Sequence, residues 1–518
     1  MTVTVYVPRD SGAKALGADR VADAIGAEIA RRGVDARVVR NGSRGLYWLE
    51  PMVEVQTANG RVAYGPVRPA DVASLFDCGF LAGDQHRLWL GRAEAIPFLQ
   101  RQTRLTFARC GITDPVSLAD YRAHGGLRGL QAALAMTAEE IVATVTESGL
   151  RGRGGAGFPT GIKWNTVRET PGAQKYIVCN ADEGDSGTFS DRMIMEGDPF
   201  VLIEGMAIAG LATGATKGYV YLRSEYPDAA VILDEAMAAA RAAGVLGPDI
   251  LGSGRAFDME VRIGAGAYVC GEETALLDSL EGKRGQVRAK PPLPAHKGLF
   301  GRPTVVNNVI SLASVPIILD RGAAFYRDFG MGRSRGTIPI QLAGNVRHGG
   351  LFEAAFGMTL GELVDDIGGG TASGRPVKAV QVGGPLGAYF PPALFDTPFD
   401  YEAFAAKDGL IGHAGIVVFD DTADMLKQAR FAFEFCAVES CGKCTPCRLG
   451  SVRGVELLDR LAADVTPQRQ LETVTDLCET MKFGSLCALG GFTPYPVMSA
   501  LTHFPDDFRP RAVPQAAE

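Results

Sequence analysis

The hydrophobic and polar positions divide the chain into stretches of different period. Residues 2–7 alternate Thr, Val, Thr, Val, Tyr, Val, the period of a half-buried strand. A helical pattern follows to Arg32 and stops at Gly33. Residues 36–40 predict a second strand, and 52–57 and 61–64 flank Asn59-Gly60, a strong hairpin signal. A short helix is expected from Ala70, and 80–135 show no single period. Thr137 and Glu140 form a capping box for a helix that ends at Gly149. From there to about 330, strands and helices alternate among glycine-rich loops, an α/β pattern. Past the glycine-rich 330–336 segment, 337–343, 350–357 and 377–382 predict strands, and Thr359 and Glu362 cap a helix running to Ile367. From Thr422 onward the pattern is helical. Thr-Pro pairs at 445–446, 466–467 and 493–494 predict helix starts with Thr at N-cap and Pro at N1, giving four or five short helices.

This order predicts a multidomain α/β protein. Residues 1–80 resemble a thioredoxin-like domain in their element order. Their only cysteine is Cys78, so this stretch holds neither a thiol–disulfide site nor a four-cysteine cluster. Residues 81–136 are a connecting segment and 137–330 an α/β domain. Residues 331–420 have the order of a small β-grasp domain, and 421–518 form a helical bundle.

Acids outnumber bases, 59 to 52, for a net charge of −7, which argues against a nucleic-acid partner. Apolar residues at 46% and charged residues at 21% suit buried cores. The start MTVTVYVPRD has neither a basic nor an apolar leader region. The most apolar stretch, 201–222, is broken by Glu204, Lys217 and glycines, so no membrane insertion is expected and the location predicted is cytoplasmic. There, clustered cysteines bind metal or do redox work. Six of the ten cysteines fall between 436 and 487, whereas the six histidines never cluster.

Cys441, Cys444 and Cys447 form C-x2-C-x2-C, and Cys487 follows downstream. Four thiolates are what a [4Fe–4S] cluster requires. Gly442, Thr445 and Pro446 keep the loop small, and the helix opening at Thr445-Pro446 turns a positive dipole end toward an anionic cluster. Zinc is the alternative, although its sites favour separated cysteine pairs. Cys436 and Cys478 lie outside the motif and read as ordinary buried thiols.

Residues 152–157 satisfy G-x-G-x-x-G, but a helix precedes them and Phe158-Pro159 follows. As a Rossmann fingerprint, which must follow a strand, the motif fails. It remains either a surface turn or a cradle of bare backbone N–H groups, with Arg151, Arg153 and Lys163 supplying positive charge for an anionic ligand. Asn180, Asp182, Glu183 and Asp185 stand just past a predicted buried strand, 175–180, at the end where α/β sheets bind ligands. Further on come Gly264-Ala-Gly-Ala-Tyr268, Gly271-Glu-Glu273 and the Asn307-Asn308 pair.

Taken together, the segments 148–161, 179–184, 264–274, 281–285, 303–308 and 439–448 resemble the family of NADH-binding flavoprotein subunits of respiratory complex I. The resemblance spans roughly 137–500. It implies FMN, NAD and a [4Fe–4S] cluster as cofactors, with Cys441, Cys444, Cys447 and Cys487 as cluster ligands. The flavin pocket it implies comprises Gly152, Arg153, Gly154, Lys163, Asn180, Asp182, Glu183, Tyr268, Gly271, Glu272, Val306, Asn307, Asn308 and Ser311, with Ala488 and Leu489 approaching the flavin. NAD(H) would use Gly155, Phe158, Asp185, Glu273 and Lys290, and Glu183 and Glu272 would be the catalytic carboxylates. Thr166 and Leu293 depart from the aromatics of the complex I pattern, and Asp185 replaces a longer glutamate. Lys290-Pro-Pro-Leu-Pro294 and the thioredoxin-like start look more like the β subunit of soluble, molybdenum-containing NAD-dependent formate dehydrogenases. That implies a large molybdenum subunit and an iron–sulfur subunit of the thioredoxin-like type as partners. The diaphorase subunit of NAD-reducing hydrogenases and complex I itself are the alternatives. An iron–sulfur scaffold that has lost its flavin is the alternative of another class, opposed by Lys163, Asn180, Glu183 and Asn307-Asn308.

Overall fold

The computed structural model describes residues 2–463 and 468–509. Four buried apolar clusters organise it. In the first stretch, strand Val3–Tyr6 pairs in parallel with Ala36–Val39 and antiparallel with Val53–Thr57, which turns at Asn59-Gly60 into Gly60–Tyr64. The hairpin signal thus forms the predicted hairpin. A fifth strand, Trp89–Arg92, pairs with Gly60–Tyr64, so the sheet runs past residue 80. Helix Ala18–Arg32 packs its Val21, Ala22 and Ile25 on this sheet and ends at Gly33 in the left-handed region.

The second unit is a four-stranded, all-parallel sheet in the order Asp258–Ile263, Lys217–Leu222, Tyr176–Ala181, Thr304–Asn308. The chain leaves Tyr176–Ala181 toward one side, through Lys217–Leu222 and Asp258–Ile263. It then returns to lay Thr304–Asn308 on the other side. The strand order therefore reverses between Tyr176–Ala181 and Thr304–Asn308, and a crevice opens beyond their carboxyl ends. Asn180 and Asn308 are paired at that end.

Every residue of helix Pro199–Thr213 is buried. The apolar run at 201–222 is thus a core helix plus a strand, and no described helix is long and apolar enough to cross a membrane. Glu204 on that helix is 1% exposed and accepts hydrogen bonds from Tyr121 Oη, Leu127 N and Leu130 N, which satisfies the start of helix Arg128–Leu134. Glu204→Leu would leave three buried donors unpaired. We expect it to destabilise the protein by about 3 kcal/mol or more, read as a drop in thermal unfolding temperature.

A third sheet is mixed, in the order Gly350–Ala355, Thr337–Gly344, Gly415–Asp420, Val377–Val382, Ala388–Phe390. Its central pair, Thr337–Gly344 with Gly415–Asp420, is parallel. The helical end holds Met425–Glu439, Thr445–Ala463, Gln468–Gly484, Ala488–Phe492 and Pro494–His503. The first three are 15, 19 and 17 residues long, longer than the short helices expected. Thr493 does not cap as predicted. Helix Ala488–Phe492 runs straight into Pro494–His503, Thr493 takes helical angles, and its hydroxyl donates back to Leu489 O at 2.7 Å. The Thr466-Pro467 pair lies outside the described residues.

Candidate functional site

The crevice at the strand-order reversal holds a cavity of about 440 Å³. One wall is the glycine loop. Gly152 N donates to Phe158 O at 2.8 Å, closing the loop between helices Ala138–Glu147 and Thr160–Glu169. Gly155 sits at φ 109°, and a Cβ on Gly154 would lie 3.0 Å from Asn308 Cβ. Side chains there would fill the cradle, so the loop is built for close approach of a ligand to backbone. The strand ends contribute Asn180, Val306, Asn307 and Asn308, with Ser311 in the next turn. Asn307 is fixed by Trp164 Nε1, which donates to its Oδ1 at 2.8 Å, and Asn180 Nδ2 donates to Gly271 O at 2.8 Å.

Opposite the glycines stands a charged group. Lys163 Nζ donates to Val306 O at 2.8 Å and lies 3.7 Å from Glu273. Lys290 Nζ bridges Glu272 at 2.9 Å and Glu273 at 2.8 Å. Burial works against the Glu273 charge, but Lys163 and Lys290 outweigh it and leave this carboxyl below its usual range. Glu272 caps helix Glu273–Leu280 by accepting from Thr274 N and Ala275 N. Phe158, Gly271, Thr166 and Leu293 complete the lining.

Eight of the expected residues do not line this cavity: Arg153, Gly155, Asp182, Glu183, Asp185, Tyr268, Ala488 and Leu489. Arg153 keeps its backbone N–H at the site, donating to Ser311 Oγ at 2.8 Å, but turns its side chain away. Its guanidinium is 1% exposed and donates to Arg151 O, Thr337 O, Arg335 O and Tyr326 Oη. Arg151 is likewise committed, to Gly157 O and Glu402. Of the three cations expected beside the loop, Lys163 alone faces the cavity, because the two arginines neutralise buried carbonyls and an acid behind it. Glu183 turns inward, accepting from Asp191 N and Arg192 N, both at 3.1 Å, and from Tyr226 Oη at 3.0 Å. Asp185 accepts from Tyr268 Oη at 2.8 Å and lies against Gly384 of the third sheet. Leu489 packs in the core of the helical bundle, and its carbonyl accepts from Cys436 Sγ.

Asp182 Oδ2 is buried without a hydrogen-bond partner among the described residues, and burial pushes its carboxyl up to about 7. A bare backbone cradle, one ammonium facing it and an orphaned carboxyl oxygen beside Gly271 fit a phosphorylated, ring-bearing cofactor such as FMN.

The cysteine loop lies next to this cavity. Cys441 and Cys444 lie in the loop that joins helix Met425–Glu439 to Thr445–Ala463, with Gly442 in the left-handed region at φ 80°, and Cys447 lies in the first turn of the second helix. Cys487 precedes Ala488–Phe492. Leu486 N donates to Cys444 Sγ at 3.5 Å, bringing the remote segment to the loop. Gly490, three residues past Cys487, packs against Cys447, where a Cβ on it would lie 2.7 Å from Cys447 Cβ, so the remote segment meets the cysteine motif a second time. Lys443 Nζ donates to Val287 O at 2.6 Å, and Glu439 accepts from Tyr268 N at 2.9 Å. Four thiols converging from two segments suit a [4Fe–4S] cluster. Cys436, expected to stand apart, is 3.7 Å from Cys447 Sγ. It sits on the helix before the motif, and the return of Thr445–Ala463 along that helix brings the two together.

Two further groups close the back of the site. Asp191 and His413 meet Glu183, with one ligand-type atom of each within 4.8 Å of the others. Asn308 and backbone donors occupy these acids, so the cluster is an ion-pair network and not a metal site. An acid in a helix's first turn was readable at Asp191. Nothing in the sequence ties His413, over a hundred positions after Asn308, to this place.

The profile described as the Nuo51 FMN-binding domain matches residues 145–317, and the NADH-ubiquinone oxidoreductase-F iron-sulfur binding region matches 427–511. The F 2 subunit of the NADH-quinone oxidoreductase of Rhizobium meliloti is 48% identical over 77% of this chain and 94% of its own length. This chain belongs to the family of NADH-binding flavoprotein subunits of respiratory complex I. As a member it is an FMN- and [4Fe–4S]-binding oxidoreductase subunit that uses NAD(H). The NADP-reducing hydrogenase subunit HndC of Solidesulfovibrio fructosivorans is 46% identical over 79% of this chain and 83% of its own length. Among solved structures, a chain of air-oxidized NAD+-reducing [NiFe]-hydrogenase superposes with a TM-score of 0.68 at 30% identity, covering 99% of this chain and 86% of that one.

Proposed function

We propose that this chain is the diaphorase subunit of a soluble, NAD-dependent formate dehydrogenase. In this role it exchanges hydride between NAD(H) and FMN, and single electrons between FMN and the [4Fe–4S] cluster. The observation that carries the diaphorase role is the contiguity of cavity and cysteine loop: Glu439, at the end of the helix that leads into the loop, accepts from Tyr268 N three residues before the cavity-lining Gly271. FMN, when bound, supplies the step between two-electron and one-electron chemistry that no side chain offers.

The chain's own residues hold and orient. Gly152, Gly154 and Gly155 lend bare backbone, and Lys163 sets a positive charge against the phosphate or reduced ring. Asn180, Asn307, Asn308 and Ser311 present directed polar atoms, and Asp182 stands behind Gly271 at the cavity wall. Phe158, Glu273 and Lys290 take the nucleotide at the outer end of the cavity. Cys441, Cys444, Cys447 and Cys487 bind the cluster. Glu272 caps its helix and fixes Lys290, while Glu183 and Asp185 position from behind.

A carboxylate near the adenosine ribose favours a 2′-hydroxyl over a 2′-phosphate. A relative named for NADP means that kinship alone does not decide the coenzyme; the charge at Glu273 supports NAD here. Glu273→Gln is expected to narrow the NAD-over-NADP preference in kcat/KM by about tenfold, the worth of one like-charge repulsion removed. Unchanged discrimination would remove Glu273 from the role.

Formate dehydrogenase as parent complex is supported by Lys290-Pro-Pro-Leu-Pro294, while Leu293 and Thr166 on the cavity wall and the additional N-terminal sheet speak against complex I itself. The partners expected are a large molybdenum subunit and a thioredoxin-like iron–sulfur subunit. A second reading, a hydrogenase diaphorase, rests on the coverage of nearly the whole chain by the hydrogenase structure. Isolation of the native complex decides between them. A co-purifying molybdenum chain with formate:NAD activity supports the proposal, whereas a nickel chain or a membrane arm overturns it.

A further inference from the structure

Asn308 lines the FMN cavity, and its side chain is committed on both sides. Its Oδ1 accepts from Ser311 N at 3.0 Å and Ser311 Oγ at 3.2 Å, which fixes the amide nitrogen toward the interior. There Nδ2 lies 2.9 Å from each carboxylate oxygen of Asp191 and 2.8 Å from His413 Nε2. A 2.8 Å contact between an amide N–H and an imidazole nitrogen holds only if that nitrogen is bare. Turning the amide around would let its oxygen accept from a protonated Nε2, but it would also set that oxygen against the Asp191 carboxylate and the amide N–H against Ser311 N.

The surroundings of His413 favour the other state. Asp191 lies 3.3 Å from Nε2, and Glu183 and Asp185 also face the ring. The neutral groups packed around it are Asn308, from the strand Thr304–Asn308, and Gln341, from Thr337–Gly344. Gln341 Nε2 donates to His413 O at 2.7 Å, and its Oε1 accepts from Phe189 N and Ser190 N, tying the loop to the start of the Asp191 helix. The backbone after His413 is also strained, with Ala414 in the left-handed region at φ 64°. Burial disfavours the imidazolium, but the three acids outweigh it and raise this histidine to about 9. A charged His413 and the Asn308 amide cannot both keep these places.

Resting on the FMN reading of the cavity, we infer that His413 is a positioning residue of the flavin pocket whose protonation decides where the Asn308 amide points. Neutral, His413 accepts from Asn308 and holds it against Asp191. Protonated, it donates to Asp191 and releases the amide toward the cavity. A loop of the third sheet thereby sets a hydrogen-bond donor of the flavin site. FMN should bind more tightly below the His413 midpoint than above it, by about threefold to tenfold, the net worth of one hydrogen bond.

The test is the FMN dissociation constant of the full chain as a function of pH, from quenching of FMN fluorescence. Cluster content and circular dichroism confirm the fold of each variant. Wild type is expected to show a step centred near pH 9, with weaker binding on the alkaline side. His413→Gln, a permanently neutral acceptor, should bind at the alkaline level throughout. The pH dependence of FMN's own groups is common to both proteins and cancels in their ratio. Asp191→Asn removes the nearest carboxylate and should move the midpoint downward, a shift that a purely structural role would not produce. A step that persists unchanged in His413→Gln, or a wild-type profile without one, overturns the role of His413 while leaving FMN binding intact. Absence of FMN binding at every pH would instead remove the pocket reading, and this inference with it.

Discussion

Cys444→Ser is expected to yield a chain that keeps its flavin and its NADH–dye reductase activity but loses its [4Fe–4S] cluster. Iron is a soft partner for thiolate and a poor one for a serine hydroxyl. The other three cysteines come from a loop shaped by Gly442 and from the separate segment at Cys487, so the variant leaves one iron of the cube without its thiolate. Transfer to an obligate one-electron acceptor should fall by more than the roughly 100-fold that loss of an outer partner of a metal site costs. The flavin cavity is lined by other residues and should survive. Cys436→Ser is the sharp control. Cys436 touches Cys447 but lies outside the ligand set, so its variant should retain the cluster. Iron and acid-labile sulfide per chain, with low-temperature EPR after reduction, read both outcomes.

Lys163→Met should weaken FMN binding about tenfold to a hundredfold, the range for loss of a charged hydrogen bond. Of the cations beside the glycine loop, Lys163 is the one that faces the cavity. Methionine keeps the apolar stem and removes the ammonium, so the fold is spared. It also strips Glu273 of one of its two counter-charges, leaving a half-buried carboxylate with a single counter-charge facing an anionic ligand. Arg153→Met should behave differently. Its guanidinium serves protein oxygens, so the variant should lower unfolding temperature, with flavin affinity following the loss of fold. FMN titration at neutral pH beside thermal unfolding separates the two.

Much of this site is readable in the residues, for definable reasons. The cysteine spacing identifies its chemistry because ligand geometry constrains spacing directly. The run at 175–180 marks a buried strand, and the polar residues at its end mark a ligand edge, because parallel sheets leave their carboxyl ends open. Side-chain direction is harder to read. Arg153 belongs to a glycine motif that invites an anion, yet its side chain leaves the loop backward toward Thr337 and Tyr326, and local sequence says nothing of those acceptors. Ala488 and Leu489 neighbour a cluster ligand, but helix formation at 488–492 turns Leu489 into the bundle core. Asp191, Gln341 and His413 come from three elements spread over more than two hundred positions, so only the folded chain brings them together behind Asn308.

In the proposed role one chain joins NAD(H), FMN and a [4Fe–4S] cluster in a single electron path. Anaerobic titration of the purified, cofactor-loaded chain with NADH follows that path from end to end, with the yellow flavin absorbance and the cluster EPR signal read in the same samples. The flavin is expected to bleach in wild type, with the reduced-cluster signal rising beside it, whereas Cys444→Ser should bleach without that signal. A wild-type chain holding both cofactors in which NADH leaves the flavin oxidised, or bleaches it while dithionite alone reduces the cluster, would break the path.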